Sequence, residues 1–323
     1  MIQEQVKYSV IIPVYNRPQE VNEVLKSLTL QSYKNFEVIL VEDGSSDRSD
    51  TVADAFREVL SIQYLFKPNT GPGPSRNFGF EHAKGEYFVV FDSDCILPPH
   101  YFEAVETYLN KNPVDAWGGP DKGHADFTYL QQAMGITMAS LFTTGGIRGG
   151  KKHMGWFQPR SFNMGISRKV YITTQGFTFD RLAEDIELSI RIKEAGFKSA
   201  LIPDAYVFHK RRATLREFYH QVFNFGRGRI LVGRKHPHQV KLTHWFPSLF
   251  IVGIVLLPFV LLISVPVFKA AVGVLILYLG LIFLDGFNTS KNLIVATLCI
   301  PSAIVQLAGY GLGFLTESIK PYT

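Results

Sequence analysis

The chain has 323 residues and a formal net charge of +5 at pH 7, which leaves room for one large domain or two smaller ones. No nucleic-acid motif accompanies the basic balance, so no nucleic-acid partner is expected. Its two cysteines, Cys95 and Cys299, lie in different halves, so no structural disulfide is expected and a reducing compartment fits.

In chain order, residues 8–16 (YSVIIPVYN) are a β-branched apolar run closed by a polar turn, which predicts a buried strand. Residues 17–33 place Val21, Val24, Leu25 and Leu28 at helical spacing. Residues 36–47 (FEVILVEDGSSD) predict a second buried strand entering an acidic Gly-Ser turn. A helix is expected over 48–60, a short strand over 62–68, a helix over 74–85 and a strand over 86–94. This alternation is that of a mostly parallel α/β sheet covered by helices, in which ligands gather at the carboxyl ends of the strands. Pro13-Val14-Tyr15-Asn16, Asp43-Gly44-Ser45 and Asp92-Ser93-Asp94 each follow an apolar strand, and together they predict a convergent site. A dinucleotide fingerprint is absent, because the spacing of Gly71, Gly73 and Gly79 does not match Gly-x-Gly-x-x-Gly.

Each of these residue types has a chemical reading and a plainer one. Asp92 and Asp94 end a strand two residues apart and can face one hard cation, Mn2+ or Mg2+, or can form a solvated turn. Asp43 can accept a base N–H or close an Asx-turn on Gly44. Tyr15 is either a stacking surface or a rim residue. In residues 69–77 (NTGPGPSRN), Gly71 and Gly73 would let the backbone approach a ligand and Arg76 would pair with a diphosphate; otherwise the segment is a loop with a solvated arginine. Residues 181–197 (RLAEDIELSIRIKEAGF) predict a helix stopped by Gly196, with Glu184 and Asp185 in its opening turn. The positive helix end favours ionised carboxylates there, suited to a general base or simply to stabilising the helix start.

From residue 246 to 314 the only charged residues are Lys269, Asp285 and Lys291. Three membrane helices are expected, over 246–268, 270–287 and 292–315, with kinks at Pro258, Pro266 and Pro301. The expected division is therefore a domain over 1–243 and a membrane domain over 244–323. Arg227, Arg229, Arg234, Lys235 and Lys241 precede the first span, so the positive-inside rule puts the first domain in the cytosol at the inner membrane, against anionic membrane lipid. The N-terminus shows no basic start followed by a long apolar region, so no secretory signal is expected.

Taken together and in order, SVIIPVYNRP, VEDGSSD, NTGPGPSRNFGFEHAKGEYFVVFDSD and the later FNMGISRKVYITTQGFTFDRLAEDIEL resemble the family 2 glycosyltransferases over about residues 7–230. The resemblance implies a GT-A fold and an inverting transfer from a nucleotide-sugar donor. It implies that Pro13 and Tyr15 border the nucleobase and that Asp43 binds it, usually as uracil. Asp92 would lie by the ribose and metal, Asp94 would hold the metal, Glu184 and Asp185 would form the Glu-Asp pair, and Asp185 would be the general base. His209, in YVFHKRR, stands where such enzymes often carry a histidine that meets the metal or diphosphate; otherwise it is a loop histidine, and Lys210, Arg211 and Arg212 follow it. Gln221 stands where processive members carry Gln-x-x-Arg-Trp, but no Arg-Trp follows, so single transfer is expected over polymer synthesis. Trp117 to Pro120 and residues 155–160 are expected on the acceptor side. The acceptor is expected to be a lipid-linked glycan, in cell-surface polysaccharide or glycolipid synthesis. A non-catalytic nucleotide-sugar binder is the rival of another class, and a transporter is disfavoured by the lack of an internal repeat.

Overall fold

The structure is a computed structural model and describes residues 6–123, 127–144, 156–210 and 212–321. The chain runs β1 (Tyr8–Val14), α1 (Pro18–Thr29), β2 (Phe36–Asp43), α2 (Asp50–Asp54), β3 (Ile62–Lys67), α3 (Pro72–His82), β4 (Tyr87–Phe91), β5 (Cys95–Ile96), α4 (Tyr101–Lys111), β6 (Ala116–Gly118) and β7 (Asp121–Lys122). There follow α5 (Tyr129–Ala139), α6 (Leu141–Thr144), β8 (Asn163–Ser167), α7 (Arg168–Thr174), α8 (Glu184–Glu194), β9 (Ser199–Leu201), β10 (Val207–His209) and α9 (Leu215–Lys235). The last three helices are α10 (Phe246–Ile263), α11 (Val265–Ser290) and α12 (Leu293–Ser318). Packing divides the chain into two compact units, Met1–His124 with Lys151–Lys210, and Ala125–Gly150 with Arg211–Thr323. That boundary differs from the one expected at 243, because α5 and α9 pack with the C-terminal helices.

The first unit is built on a seven-stranded sheet of order β3-β2-β1-β4-β8-β6-β9. Strands β1 to β4 are parallel, β8 runs antiparallel between β4 and β6, and β9 pairs in parallel with β6. The sheet is covered on both faces, as the near-continuous apolar runs require. Along β1 the side chains alternate. Val10, Ile12 and Val14 join the helices α1 and α4 on one face, while Ile11 joins Phe80 of α3 and Leu188 of α8 on the other. Trp117, expected near an acceptor, is fully buried in the first core against Tyr8 and Tyr87, so it is a packing residue. A small second sheet, β5-β10-β7, brings Cys95 opposite His209.

The helix expected over 48–60 stops at Asp54. Beyond it the backbone closes with tighter i→i+3 bonds, from Phe56 to Ala53, Arg57 to Asp54 and Val59 to Phe56. The second unit centres on α12, which packs against α5, α9, α10 and α11. Three helical segments in it, Leu242–Ile263, Val265–Ser290 and Leu293–Ser318, are long and apolar enough to cross a membrane. The first break falls at Ser264, not at Lys269. Ser264 is extended, and Pro266, lacking an N–H, sits in the first turn of α11 and does not kink a continuing helix.

Two devices hold α9 to α12. The Glu317 carboxylate meets Arg227 at 2.8 Å, Lys320 at 3.1 Å and Arg234 at 3.6 Å, and Arg234 also donates to the Glu317 and Lys320 carbonyls. Along the rest of the contact the backbones approach through glycines. A methyl group at Gly226 would fall on the Tyr310 carbonyl, and one at Gly313 on the Phe223 carbonyl. Gly253 of α10 has no neighbouring atom within 4 Å of such a methyl. Gly226→Leu should therefore cost roughly 1–3 kcal/mol of overpacking, read as a lower thermal midpoint of the detergent-purified protein, while Gly253→Ala leaves the midpoint unchanged or higher.

Candidate active site

The carboxyl ends of β1, β2 and β4 share one edge of the parallel sheet, and side chains join the turns that follow them. Asn16, left-handed at φ 53°, accepts from the Ser46 and Asp47 N–H groups at 2.9 and 3.0 Å, and its own N–H donates to Ser45. Arg17 reaches from the end of β1 to Asp94 at 3.4 Å and Glu20 at 3.6 Å, with its side chain about 40% exposed. Pro13 sits in β1 beside Val41 of β2, and Tyr15 is half-exposed just past the strand end.

Asp43 is a loop anchor. It accepts from Lys67 at 2.5 Å and from the Thr70 and Gly71 N–H groups at 2.9 Å each, and its carbonyl accepts from Asn69. Burial alone would raise its pKa, but Lys67 and the two N–H groups outweigh burial and hold the carboxyl below its ordinary value. Little acceptor capacity is left for a nucleobase in this arrangement.

Arg76 is not solvated. Its side chain is 3% exposed and forks between two carboxylates, Asp92 at 2.8 Å and Glu184 at 2.8 Å, with its face over Phe177. A planar guanidinium suits this two-armed bond. Burial would weaken the charged guanidinium, but the two acids restore it. Glu184 is the more enclosed of the two acids. Burial pushes it up to about 6, Arg76 pulls the other way, and the neighbouring Asp185 adds to the rise. Asp92 keeps 32% of its side chain exposed, so one side of this pair meets solvent.

The glycines of the 69–77 segment serve this clamp. A methyl at Gly73 would fall on the Phe179 carbonyl, and Gly71, at φ 105°, lies against the Asp180 carbonyl. The Gly73 N–H donates to Asp180 at 2.9 Å, so the start of α3 is stitched to the segment leading into α8. Asn77 adds a two-way bond to the Phe177 backbone, 2.7 and 2.8 Å. α8 then opens at Ala183, which is left-handed at φ 58°, and Glu184 and Asp185 take the first helical turn as expected. The Asp185 carboxylate accepts from the Ile186 N–H at 2.8 Å and lies 3.5 Å from Arg160.

Asp94, Cys95 and His209 form a cluster whose ligating atoms lie within 4.8 Å of one another. His209 Nε2 is 3.0 Å from Asp94, and its ring stacks on Phe162 at 5.2 Å. Burial would lower the imidazole pKa, but Asp94 reverses this and raises it above the ordinary value. Asp94 and His209 fit a divalent cation that takes oxygen and imidazole nitrogen. Cys95 fits less well. Its thiol donates to the Phe162 carbonyl, and burial with the nearby Asp92 and Asp94 pushes it well above the usual thiol range. Asp92, expected at the metal, is turned to Arg76 and stands outside this cluster. Among the followers of His209, Lys210 pairs with Glu23 at 2.6 Å, and Arg211 lies outside the described residues.

Sequence reasoning passed over Arg17 and took Arg160 only as the last residue of the 155–160 stretch expected on the acceptor side. Arg17 was signalled by its place directly after the first strand end; nothing within that stretch sets Arg160 apart. Because Lys offers one point charge where Arg76 offers two arms, Arg76→Lys should leave one buried acid unpaired. The expected result is a loss of about 3 kcal/mol, measured by thermal or denaturant unfolding, while the conservative surface change Arg57→Lys has no such effect.

Residues 9–183 match the family profile described as Glycosyl transferase family 2, just over half of the chain. A 103-residue stretch is 40% identical to an uncharacterized glycosyltransferase of Rickettsia typhi, covering 32% of each chain. A 109-residue stretch is 34% identical to the glycosyltransferase GlyG of Streptococcus pneumoniae, covering 33% of this chain and 36% of that one. The chain thus matches about a third of the length of these relatives. Among solved structures, the mannosyltransferase PcManGT from Pyrobaculum calidifontis, in complex with GDP-Man and Mn2+, aligns with a TM-score of 0.65 at 17% identity, over 94% of this chain and 88% of that one. TarS 1–349 of S. aureus, in complex with UDP-GlcNAc, aligns at 0.50 and 20% identity, over 69% of this chain and 66% of that one. At these identities the structures establish the GT-A-like fold. The family match spans the three strand ends and Arg76 with Asp92, and stops just before Glu184 opens α8; on that match, over half of the chain, the chain belongs to glycosyl transferase family 2.

Proposed function

We propose that this protein moves one sugar, with inversion, from a UDP-sugar to a lipid-linked or glycan acceptor at the cytosolic face of the inner membrane. The observation that carries the reading is the Arg76 clamp, which links the Asp92 strand end to the acidic start of α8. It sets Asp185, whose side chain is 17% exposed, beside a fixed pair of charges. Membrane attachment through α10, α11 and α12 is supported by their exposed apolar faces, among them Leu249, Leu262 and Ile263, and by the basic residues before α10. That attachment also supports a lipid-borne acceptor and contact with anionic lipid.

In this reading Tyr15 and Pro13 flank the base, and Asp43 shapes the loop beneath it. Asp94 and His209 would hold Mn2+ or Mg2+, which supplies positive charge opposite a diphosphate. Half-exposed Arg17 is the chain's own cation for that leaving group, and buried Arg76 acts through the two acids it holds. Asp185 accepts the proton of the acceptor hydroxyl as its oxygen bonds to the sugar C1. The bond from C1 to the diphosphate breaks, and the electron pair leaves with the nucleoside diphosphate. A GDP-sugar donor is the second reading, favoured by the GDP-Man held in the structure that aligns over 94% of this chain.

The test is nucleoside diphosphate release from UDP-glucose, UDP-GlcNAc and GDP-mannose, with membrane lipid extract as acceptor and Mn2+ or EDTA. One donor should be consumed, with release abolished by EDTA and by Asp94→Ala. Asp185→Asn should lose about 10²–10⁴ in kcat with donor KM little changed. Release that survives EDTA and both substitutions would remove these residues from the reaction.

A further inference from the structure

We propose that Arg160 is the positioning residue of the acceptor-side base, supplying Asp185 with a counter-charge and a fixed direction while leaving its oxygen open to substrate. The inference rests on the glycosyl-transfer reading of Asp185 above. Arg160 Nη1 lies 3.5 Å from Asp185 Oδ2, near enough for strong attraction but beyond an ordinary hydrogen bond. The other oxygen, Oδ1, is held by the Ile186 N–H at 2.8 Å. The carboxylate is therefore fixed at one oxygen and only faced by charge at the other, the arrangement a proton acceptor needs.

Arg160 is itself held in place by its neighbours. Ser189 on α8 donates to the Pro159 carbonyl at 3.0 Å, and Ser161 donates to Glu184 at 3.4 Å. The Asn163 N–H donates to the Arg160 carbonyl at 2.9 Å, which ties the segment to β8. The segment 159–163 thus grips the first turns of α8 from both sides of Arg160. Among the described residues, the charged groups that face Asp185 are Arg160, the adjacent Glu184 and, behind Glu184, Arg76. Arg76 is already shared by two acids, so among the described residues Arg160 is the cation that pairs with Asp185. Its side chain is about a quarter exposed, so part of the guanidinium is open to solvent beside Asp185.

The test compares pH profiles of kcat/KM at saturating Mn2+, with the donor chosen by the panel above and membrane lipid extract as acceptor. Removing an adjacent positive charge favours the protonated carboxyl. Arg160→Gln and the stem-preserving Arg160→Met should move the acidic limb upward, with activity recovering toward wild type on the alkaline side. Arg160→Lys, which keeps the charge, should hold the limb in place. Wild-type enzyme in 1 M salt should show the same upward movement in part, a check that needs no variant. An unmoved limb in both neutral variants and in salt, or an equal loss at every pH, would overturn the proposal. Asp185→Asn serves as the separate control: if it still transfers sugar, the role given to Asp185 falls first, whatever the Arg160 variants do.

Discussion

One buried guanidinium organises the catalytic unit. Arg76 is 3% exposed and bound to carboxylates 16 and 108 residues away, so it fixes the end of β4, the start of α3 and the start of α8 together. Burying a charge is costly unless it is paired and hydrogen-bonded, and here both arms of the fork are filled. The surrounding details serve the same demand. Gly73 lets α3 start hard against the 179–181 segment, Asn77 takes both polar groups of the Phe177 backbone, and the Phe177 ring lies over the guanidinium. Asp92 and the acidic start of α8 are thereby held by packed elements and not by free loops, which is what preorganisation asks of a site.

The parts of this site legible in the sequence were the local ones. A strand ending in two aspartates and a helix opening on Glu-Asp are patterns within a dozen residues, and the structure has both where they were expected. Partner identity was not legible. Nothing near Arg76 announces that Glu184 will meet it, so a buried clamp read as a ligand-facing arginine. The same holds for Gly71 and Gly73, whose close approach is to the 179–181 segment of the chain. Cys95 followed two aspartates and was weighed only for disulfides, because the β5-β10 pairing that sets it opposite His209 joins residues over a hundred positions apart. Trp117 failed as an acceptor residue for the reverse reason: a tryptophan reads alike whether it faces a sugar or a core.

The apolar C-terminal run was plain by length and composition, and its helix ends were not. Lys269 looked like a boundary because it is charged, but a backbone without an N–H at Pro266 decides where hydrogen bonding restarts. Helix α5 escaped notice entirely. Its apolar pattern is diffuse, and what makes it a helix in place is the Thr128 capping box together with the packing of Ala133 and Met134 in the second unit.

That helix has a consequence for how the protein can be divided. The second unit draws residues 125–150 from the middle of the catalytic sequence and α9 from its end. Both elements lie before residue 243, and both bury their apolar faces with the help of α12. A chain cut ahead of the apolar run would keep α5 and α9 but lose the helix that covers them. Ala133 would lose Val295, Cys299 and Ala303, and the Met134–Phe218–Val222 cluster would lose Val305. Arg227 and Arg234 would lose Glu317. Such a fragment would carry an uncovered greasy surface of its own making and would be prone to self-association. The apolar run is thus not a detachable tail: within the second unit, α12 is the cover of α5 and α9.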